Sequence, residues 1–428
     1  MTEIRPFRGL RYDPAIAVPS DVIAPPYDVV GGDDVRTLKA RSPYNIAHVE
    51  SCDASNDGYA GAASLLATWE RDGALRRDQQ PSLYVYEQVF EVQDSQHVRR
   101  SFFARMRIHP HEDGIIRPHE ATMTAAKEDR LRLLRATRTN VSPIFGMFED
   151  GDGRAREVMA RTAATAPAFE AIDARNEVHR LWTIADTDDI HTLVDGLAAS
   201  AVTIADGHHR YHTALNYLQE REARSEVADG DRYILAGLIP VDDPGLVVLP
   251  IHRLVQADSI SADVLARLSD LYDVQRLDLP WSAEGASMLW ERVARDASSR
   301  VTFGSIGLEP QAFHLVSART EDGIRGAMPA SWSSASRSLH VLVLNETILQ
   351  PVLHLDAAKR AGGAVGYTEN EAEAWHEVDS GVYGAAFLVD HVHVEQIIAV
   401  ADAGEVLPQK STYFYPKLAT GMVLNPLD

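Results

Sequence analysis

Residues 201–223 read AVTIADGHHRYHTALNYLQEREA, a short buried-strand pattern that runs through a glycine directly into a helix. Positions 202–205 are apolar or β-branched, whereas Tyr211, Leu215 and Leu218 recur at the spacing of one helix face. Between them lies the turn Asp206, Gly207, His208, His209, Arg210. A strand that ends in Asp-Gly and opens into a helix gathers backbone N–H groups and the positive end of the helix dipole around an anion. That is a phosphate-binding geometry. Gly207 lets backbone approach closely, Arg210 offers a planar fork for phosphate oxygens, and Asp206 can hold a metal ion or a substrate hydroxyl. The plain alternative is punctuation, an Asp-Gly turn with a capping aspartate. Two adjacent histidines and an arginine favour function.

Outward from this unit, strands and helices alternate. Upstream, Ala62, Leu65, Leu66 and Trp69 predict a helix over 59–72, stopped by Gly73. The runs 82–92 and 98–108 are rich in β-branched and aromatic residues and predict a hairpin around five polar residues, 93–97. A helix over 124–137 and a short strand in SPIFGMFED (142–150) follow. Downstream, a strand pair is expected across VDDPG (241–245), helices near 261–271 and 283–297, and strands around 301–305 and 339–344. The first 50 residues, with adjacent Pro25 and Pro26, predict an ordered loop or a flexible arm. The mixture indicates an α/β or α+β architecture. Two regions are expected, 1–255 with the Asp-Gly turn and 256–428 as a C-terminal α/β region.

The composition excludes several classes. A chain of 428 residues, 45% apolar and 24% charged, suits two or three domains with their own cores. The 41 Lys plus Arg against 62 Asp plus Glu give a formal charge of −21, which repels phosphate polymers and anionic lipid. Neither a nucleic acid nor a membrane partner is expected. The one cysteine, Cys52, allows no intrachain disulfide, and a cytoplasmic location fits. No signal-peptide core is visible in MTEIRPFRGLRYDP, and no apolar run reaches the roughly 18 residues that span a bilayer. A soluble protein is expected.

Three further groups carry possible chemistry. His208 and His212 lie four apart on one helix face with His209 beside them. A metal site is physically possible there, but no His-Glu-x-x-His arrangement or nearby cysteine supports zinc. No protein-held metal is expected; magnesium brought by a nucleotide is. RPHEATMTAAKEDRLRLLRA (117–136) presents His119 and Glu120 before a helix carrying Lys127 and Arg130. Both cations can face one ligand, or the helix is simply solvated with Glu128 and Arg132 as an ion pair. Glu120 can accept the proton of a hydroxyl or cap a helix. Finally, LPQKSTYFYPKLATGMV (407–423) clusters Lys410, Ser411 and Thr412 beside aromatics without the glycines of a Walker loop. It reads equally as an edge strand or as a nucleoside contact.

PFRGLRYDP (6–14), VIAPPYDVV (22–30), RPHEAT and KEDRL (within 117–131), SPIF (142–145), IADGHHRYHTAL (204–215) and PQKSTYFYPKL (408–418) together resemble the family called domain of unknown function 1015. The resemblance spans almost the whole chain. The Asp-Gly-His-His-Arg turn also resembles the nucleotide-binding motif of the ParB and sulfiredoxin superfamily, which includes free serine kinases. His208 stands where sulfiredoxin has its catalytic cysteine, which speaks against sulfinic acid reduction. The Glu-Arg-Arg variant and helix-turn-helix of ParB are not recognised. The resemblance implies a ParB/sulfiredoxin-like nucleotide-binding core and a kinase acting on a small molecule, free L-serine foremost, with ATP or ADP and Mg²⁺. Asp206, Glu120 and His209 are the expected catalytic residues. Gly207, His208, His209, Arg210, Lys127, Arg130, Lys410, Ser411 and Thr412 are the expected nucleotide contacts, with the 410–417 segment returning to the site. A homodimer is also expected. The alternatives are a nucleotide-binding regulator without catalysis and a metal-dependent hydrolase built on the histidines.

Overall fold

A computed structural model describes residues 1–53, 58–121 and 125–428, with side chains for all of these except 125–127. The fold is mixed α/β, in two units: Met1–Val247 with Pro416–Asp428, and Val248–Tyr415.

The strands of the first unit that form its large sheet are β1 (Ile4–Arg5), β2 (Leu83–Val92), β3 (Ser95–Arg107), β4 (Ile116–Arg117), β5 (Ile144–Phe148), β6 (Phe169–Ile172), β7 (Val178–Ile184), β8 (Val202–Asp206) and β9 (Tyr233–Pro240). Their order is β4-β8-β5-β9-β3-β2-β7-β6, with β1 paired to β3. The sheet is mixed, since β8–β4 and β9–β5 are parallel while β8–β5 and β9–β3 are antiparallel. The β2–β3 hairpin is tighter than its polar loop predicts: Val92 pairs with Ser95, and only Gln93 and Asp94 turn, at φ 48° and 60°. Two successive left-handed residues match the twist of the strands, so polar 95–97 join the ladder.

Alternation along β2 and β3 sends Leu83, Val85, Phe102 and Ala104 into the main core. There they meet α3 (Arg154–Ala163), α4 (Thr187–Ala198) and α5 (His208–Ala223), after α1 (Gly58–Arg71) and α2 (Ala125–Thr137) in the chain. Each large apolar side chain so buried contributes about 1.5–3 kcal/mol. The opposite sheet face carries buried polar groups, which need partners. The C-terminal strip supplies them. Arg99 donates to the Pro416 carbonyl, Gln88 to the Lys417 carbonyl at 3.1 Å, and Arg105 to Asn425 Oδ1 at 2.6 Å. Asn425–Pro426 then pairs with Thr139–Asn140.

The second unit holds β10 (His252–Val255), β11 (Tyr272–Leu277), β12 (Thr302–Ile306), β13 (Phe313–Ala318), β14 (Val365–Thr368) and β15 (Ala385–Leu388). They form an antiparallel sheet in the order β11-β13-β12-β15-β10-β14. Ala286, Leu289, Trp290 and Val293 of α6 (Ala283–Ala297) and Ala374 of α7 (Glu371–Asp379) fill its core.

Several local expectations are corrected. Strands do flank 241–245, but β9 pairs with β3 and β5, while Val247–Leu249 pairs with Tyr413–Tyr415. The 339–344 run is helical, His340–Leu344, and continues as the π-helical stretch Asn345–Leu349. Val341, Leu342, Val343 and Leu344 are all buried, and a short apolar run buried all round has no period to separate helix from strand. The first 50 residues include a helix, Gly32–Arg41, as well as loops. Among the described residues no helix is long and apolar enough to cross a membrane.

Candidate functional site

The register of β8 against β5 shifts between Ile204 and Asp206, an irregularity that re-aims the last residue of the strand. Gly207 follows at φ 87° and opens α5. A Cβ there would stand 3.1 Å from both Cα and Cγ2 of Ile144, so backbone conformation and space both require glycine.

The Asp206 carboxylate is held from two sides. Oδ1 accepts from Lys417 Nζ at 2.5 Å and Oδ2 from Arg210 Nη2 at 2.6 Å. Burial opposes ionisation of Asp206, yet Lys417 and Arg210 together hold its carboxyl far below the usual carboxylate range. Arg210 also donates to the Pro143 carbonyl and lies 3.8 Å from Asp28. Burial works against its charge, and the carboxylates of Asp206 and Asp28 more than restore it. Its guanidinium thus braces Asp206 in addition to any role toward phosphate.

His208 binds the neighbouring loop. Its Nε2 accepts from the amides of His119 and Glu120 at 3.2 and 3.3 Å. A lone pair at Nε2 places the proton of the neutral ring on Nδ1. Burial and the adjacent His119 ring push the His208 pKa well below its ordinary value. His119 is lowered as well, by burial, and its Nδ1 meets the Ile204 carbonyl at 2.5 Å. The two rings lie edge to face, 4.6 Å apart. Together they tie the 119–120 segment to the β8–α5 turn and set partly exposed Glu120 beside it. Since two amides occupy His208 Nε2, that atom does not serve as a metal ligand in this arrangement, which disfavours the hydrolase alternative.

His209 is half-buried in the first turn of α5. Arg130 on α2 is buried, donating to the Glu50 carbonyl at 2.8 Å and to Asp129 Oδ2 at 2.8 and 2.5 Å, with its guanidinium 4.2 Å from the Tyr27 ring centre. It lines a cleft of about 50 Å³ with Arg210, Glu50 and Ser142, so two of the sequence motifs do meet. The side chain of Lys127 lies outside the described residues. Lys410, Ser411 and Thr412 belong to the second unit. There Lys410 has φ 61°, its carbonyl accepts from Arg253 at 2.9 Å, and Ser411 Oγ donates to the Pro408 carbonyl at 2.6 Å.

Four further residues belong to this neighbourhood: Tyr27, Asp28, Glu50 and Lys417. Tyr27, Asp28 and Lys417 sit inside VIAPPYDVV and PQKSTYFYPKL, so the motifs are visible in the sequence although no local pattern marks these members. Burial pushes the Tyr27 hydroxyl up to about 12 against the opposing pull of Arg210. Glu50, which accepts from Ser142 Oγ at 2.7 Å, carried no sequence signal.

Comparison with known proteins gives one family and several similar structures. The family model described as "Protein of unknown function (DUF1015)" matches residues 4–357. No curated protein matches the sequence. Among solved structures, a free serine kinase in complex with AMP is 13% identical, with 73% of this chain and 86% of that chain covered at a TM-score of 0.35. A conserved hypothetical protein from Pyrococcus furiosus is 14% identical over 74% and 93% of the two chains, TM-score 0.34. SbnI with a C-terminal truncation from Staphylococcus aureus is 10% identical over 76% and 87%, TM-score 0.35. With its Asp-Gly turn, its His-Glu loop and most of its length inside the matched region, the chain belongs to the DUF1015 family.

Proposed function

We propose that this protein is a small-molecule kinase that transfers a phosphoryl group from ATP or ADP to a hydroxyl, with free L-serine as acceptor. What carries the proposal is the glycine-opened start of α5 beside an Asp206 held ionised by Lys417, with Glu120 fixed alongside through His208. The amides of Gly207, His208 and His209, with the His209 side chain, receive the nucleotide phosphates at the positive end of the helix dipole. Lys417 adds positive charge where the transferred group gains negative charge. Glu120 accepts the proton of the attacking hydroxyl as its oxygen bonds to phosphorus and the nucleotide leaves one phosphate shorter. Asp206 and Arg210 act as positioning residues for Lys417 and the turn. Arg130 shapes the cleft it shares with Arg210.

Asp206 does not fit a Mg²⁺ ligand, because each of its oxygens is already bonded to a cation. Mg²⁺ is therefore assigned to the nucleotide's own phosphates, and no step is routed through it. The acceptor comes from the resemblance of the turn to free serine kinases, not from the pocket.

The test is incubation of purified protein with Mg²⁺, ATP or ADP and a panel of hydroxylated metabolites led by L-serine, followed by mass spectrometry. Phosphoserine with stoichiometric nucleotide turnover is expected. Absence of any phosphorylated product would overturn the kinase. Glu120→Ala is expected to lower turnover about 10²–10⁴-fold while nucleotide binding persists.

A further inference from the structure

The connection between β6 and β7 is a tight turn over 173–177, well apart in sequence from the motifs above. Asp173 Oδ1 accepts from the amides of Arg175 and Glu177 at 2.8 and 3.0 Å, and Asn176 at φ 62° reverses the chain. Glu177 and His179 are two residues apart in extended chain and so share one sheet face. Both are buried, 5% and 1% exposed. Asp173 Oδ2 lies 3.6 Å from His179 Nε2, and one ligand atom from each of Asp173, Glu177 and His179 falls within 4.8 Å of the others.

The other side of His179 is fixed. Its Nδ1 is 2.7 Å from the Tyr86 hydroxyl, and the two rings stack at 8° between planes. In the tautomer whose Nδ1–H donates to the Tyr86 hydroxyl, Nε2 presents a lone pair. At 3.6 Å its separation from Asp173 exceeds a hydrogen bond, and among the described residues Nε2 has no hydrogen-bond partner. Nε2 of buried His179 and Oδ2 of Asp173, whose side chain is 16% exposed, face each other with room for a cation between them.

We propose that Asp173, Glu177 and His179 form a binding site for a divalent transition-metal ion of the zinc class, which neither the kinase chemistry nor the sequence motifs use. An ion about 2.1 Å from both Asp173 Oδ2 and His179 Nε2 spans their 3.6 Å separation at an angle of about 120°. One imidazole with two carboxylates selects zinc or iron(II) over magnesium, which avoids nitrogen ligands. With Nδ1 protonated, the Tyr86 hydroxyl is the outer hydrogen bond that orients the metal-binding histidine. Three protein ligands leave a coordination position open to water. Tyr86 also receives the Ala419 amide at 3.3 Å, two residues beyond Lys417, so the ion and the Asp206 anchor share one strip of chain.

The test uses full-length protein stripped of metal by chelation. Titration with Co²⁺ is expected to reach one equivalent with the visible absorption of a nitrogen–oxygen site, and Zn²⁺ is expected to displace it and raise Tm. Asp173→Asn keeps the side-chain oxygen that closes the turn but loses the anionic ligand; His179→Gln removes the imidazole. Each is expected to weaken Zn²⁺ binding at least about tenfold, with Asp173→Asn retaining the metal-free Tm. Failure of the wild-type chain to take up stoichiometric Co²⁺ overturns the site, as does undiminished binding by Asp173→Asn. Should His179→Gln not fold, Asp173→Asn and the wild-type stoichiometry decide the matter.

Discussion

Two helices of the first unit open on a left-handed glycine: α3 after Gly153 at φ 73°, and α5 after Gly207 at φ 87°. At α3 the chain closes its own helix start, because the Asp150 carboxylate accepts from the amides of Ala155 and Arg156 at 3.2 and 3.0 Å. At α5 the neighbouring carboxylate faces elsewhere. Asp206 is drawn onto Lys417 and Arg210, and the glycine has no side chain with which to replace it. The same device, an aspartate and a glycine before a helix, thus ends as a cap in one place and as a charged cluster beside a helix start in the other. What separates them is the placement of the aspartate, next to the glycine at α5 and three residues before it at α3, together with Arg210 and a lysine more than two hundred residues away.

Substitution of the two aspartates separates the roles most sharply. Asp206→Ala leaves buried Arg210 and Lys417 without their shared carboxylate, and loss of one member of a buried ionic cluster costs about 3–5 kcal/mol. Asp150→Ala removes a cap and is expected to cost about 1 kcal/mol. Urea denaturation measures both. Nucleotide-induced stabilisation, read as a rise in Tm, should survive Asp150→Ala and vanish in Asp206→Ala. Equal costs at the two sites would mean that Asp206 is only another cap.

The glycines give the next smaller difference. Gly207→Ala forces an alanine into left-handed backbone against Ile144, at 3.1 Å, and is expected to cost about 1–3 kcal/mol. At Gly153 the nearest atom to an added Cβ is the flexible end of Arg156, at 3.9 Å, so only the backbone penalty of about 1 kcal/mol remains. A Gly153→Ala variant less stable than Gly207→Ala would remove the case for close packing at the α5 turn.

The comparison also marks what a sequence can convey. Residues 202–218 declare their strand, glycine and helix because every signal in them is local: β-branched residues, a residue that needs φ above zero, and apolar side chains at helical spacing. The β2–β3 hairpin was legible for the same reason, although the left-handed pair that tightens its turn was not. Of the partners of Asp206, Arg210 is legible in the same turn, whereas the pairing with Lys417 is not written in any local pattern. Lys417 reaches Asp206 only after the chain has traversed the second unit and returned, and no periodicity records such a return. The helix His340–Leu344 reads as a strand in sequence because uniform burial erases the pattern that distinguishes the two. The motif containing Glu120 was readable, but its attachment through His208 is a contact across 88 positions.

The smallest expected effect is a pH dependence that the α5 opening adds and the α3 opening has no histidine to match. His208 and His119 are held neutral in the folded chain, chiefly by burial, whereas histidines of the unfolded chain titrate near 6.5. As pH falls through that value the unfolded state takes up protons that the folded state refuses. The stability is therefore present above about 6.5 and is lost on the way down. Asp206 acts with the same sign in a lower window. Its folded pKa is depressed, so its contribution is present above about 3.9 and disappears as pH drops further. His252 in the second unit, which burial pushes down to about 3, adds to the upper step, so the informative quantity is a difference between variants. His208→Gln keeps a side-chain oxygen that can accept the His119 and Glu120 amides but cannot take up the proton. It is expected to flatten the slope between pH 7 and 5 by at most about 1.4 kcal/mol per pH unit, one proton's worth, in denaturation curves recorded across that range. A slope identical to that of the wild-type chain would show that the neutral His208 ring is not what holds the Glu120 loop to the turn.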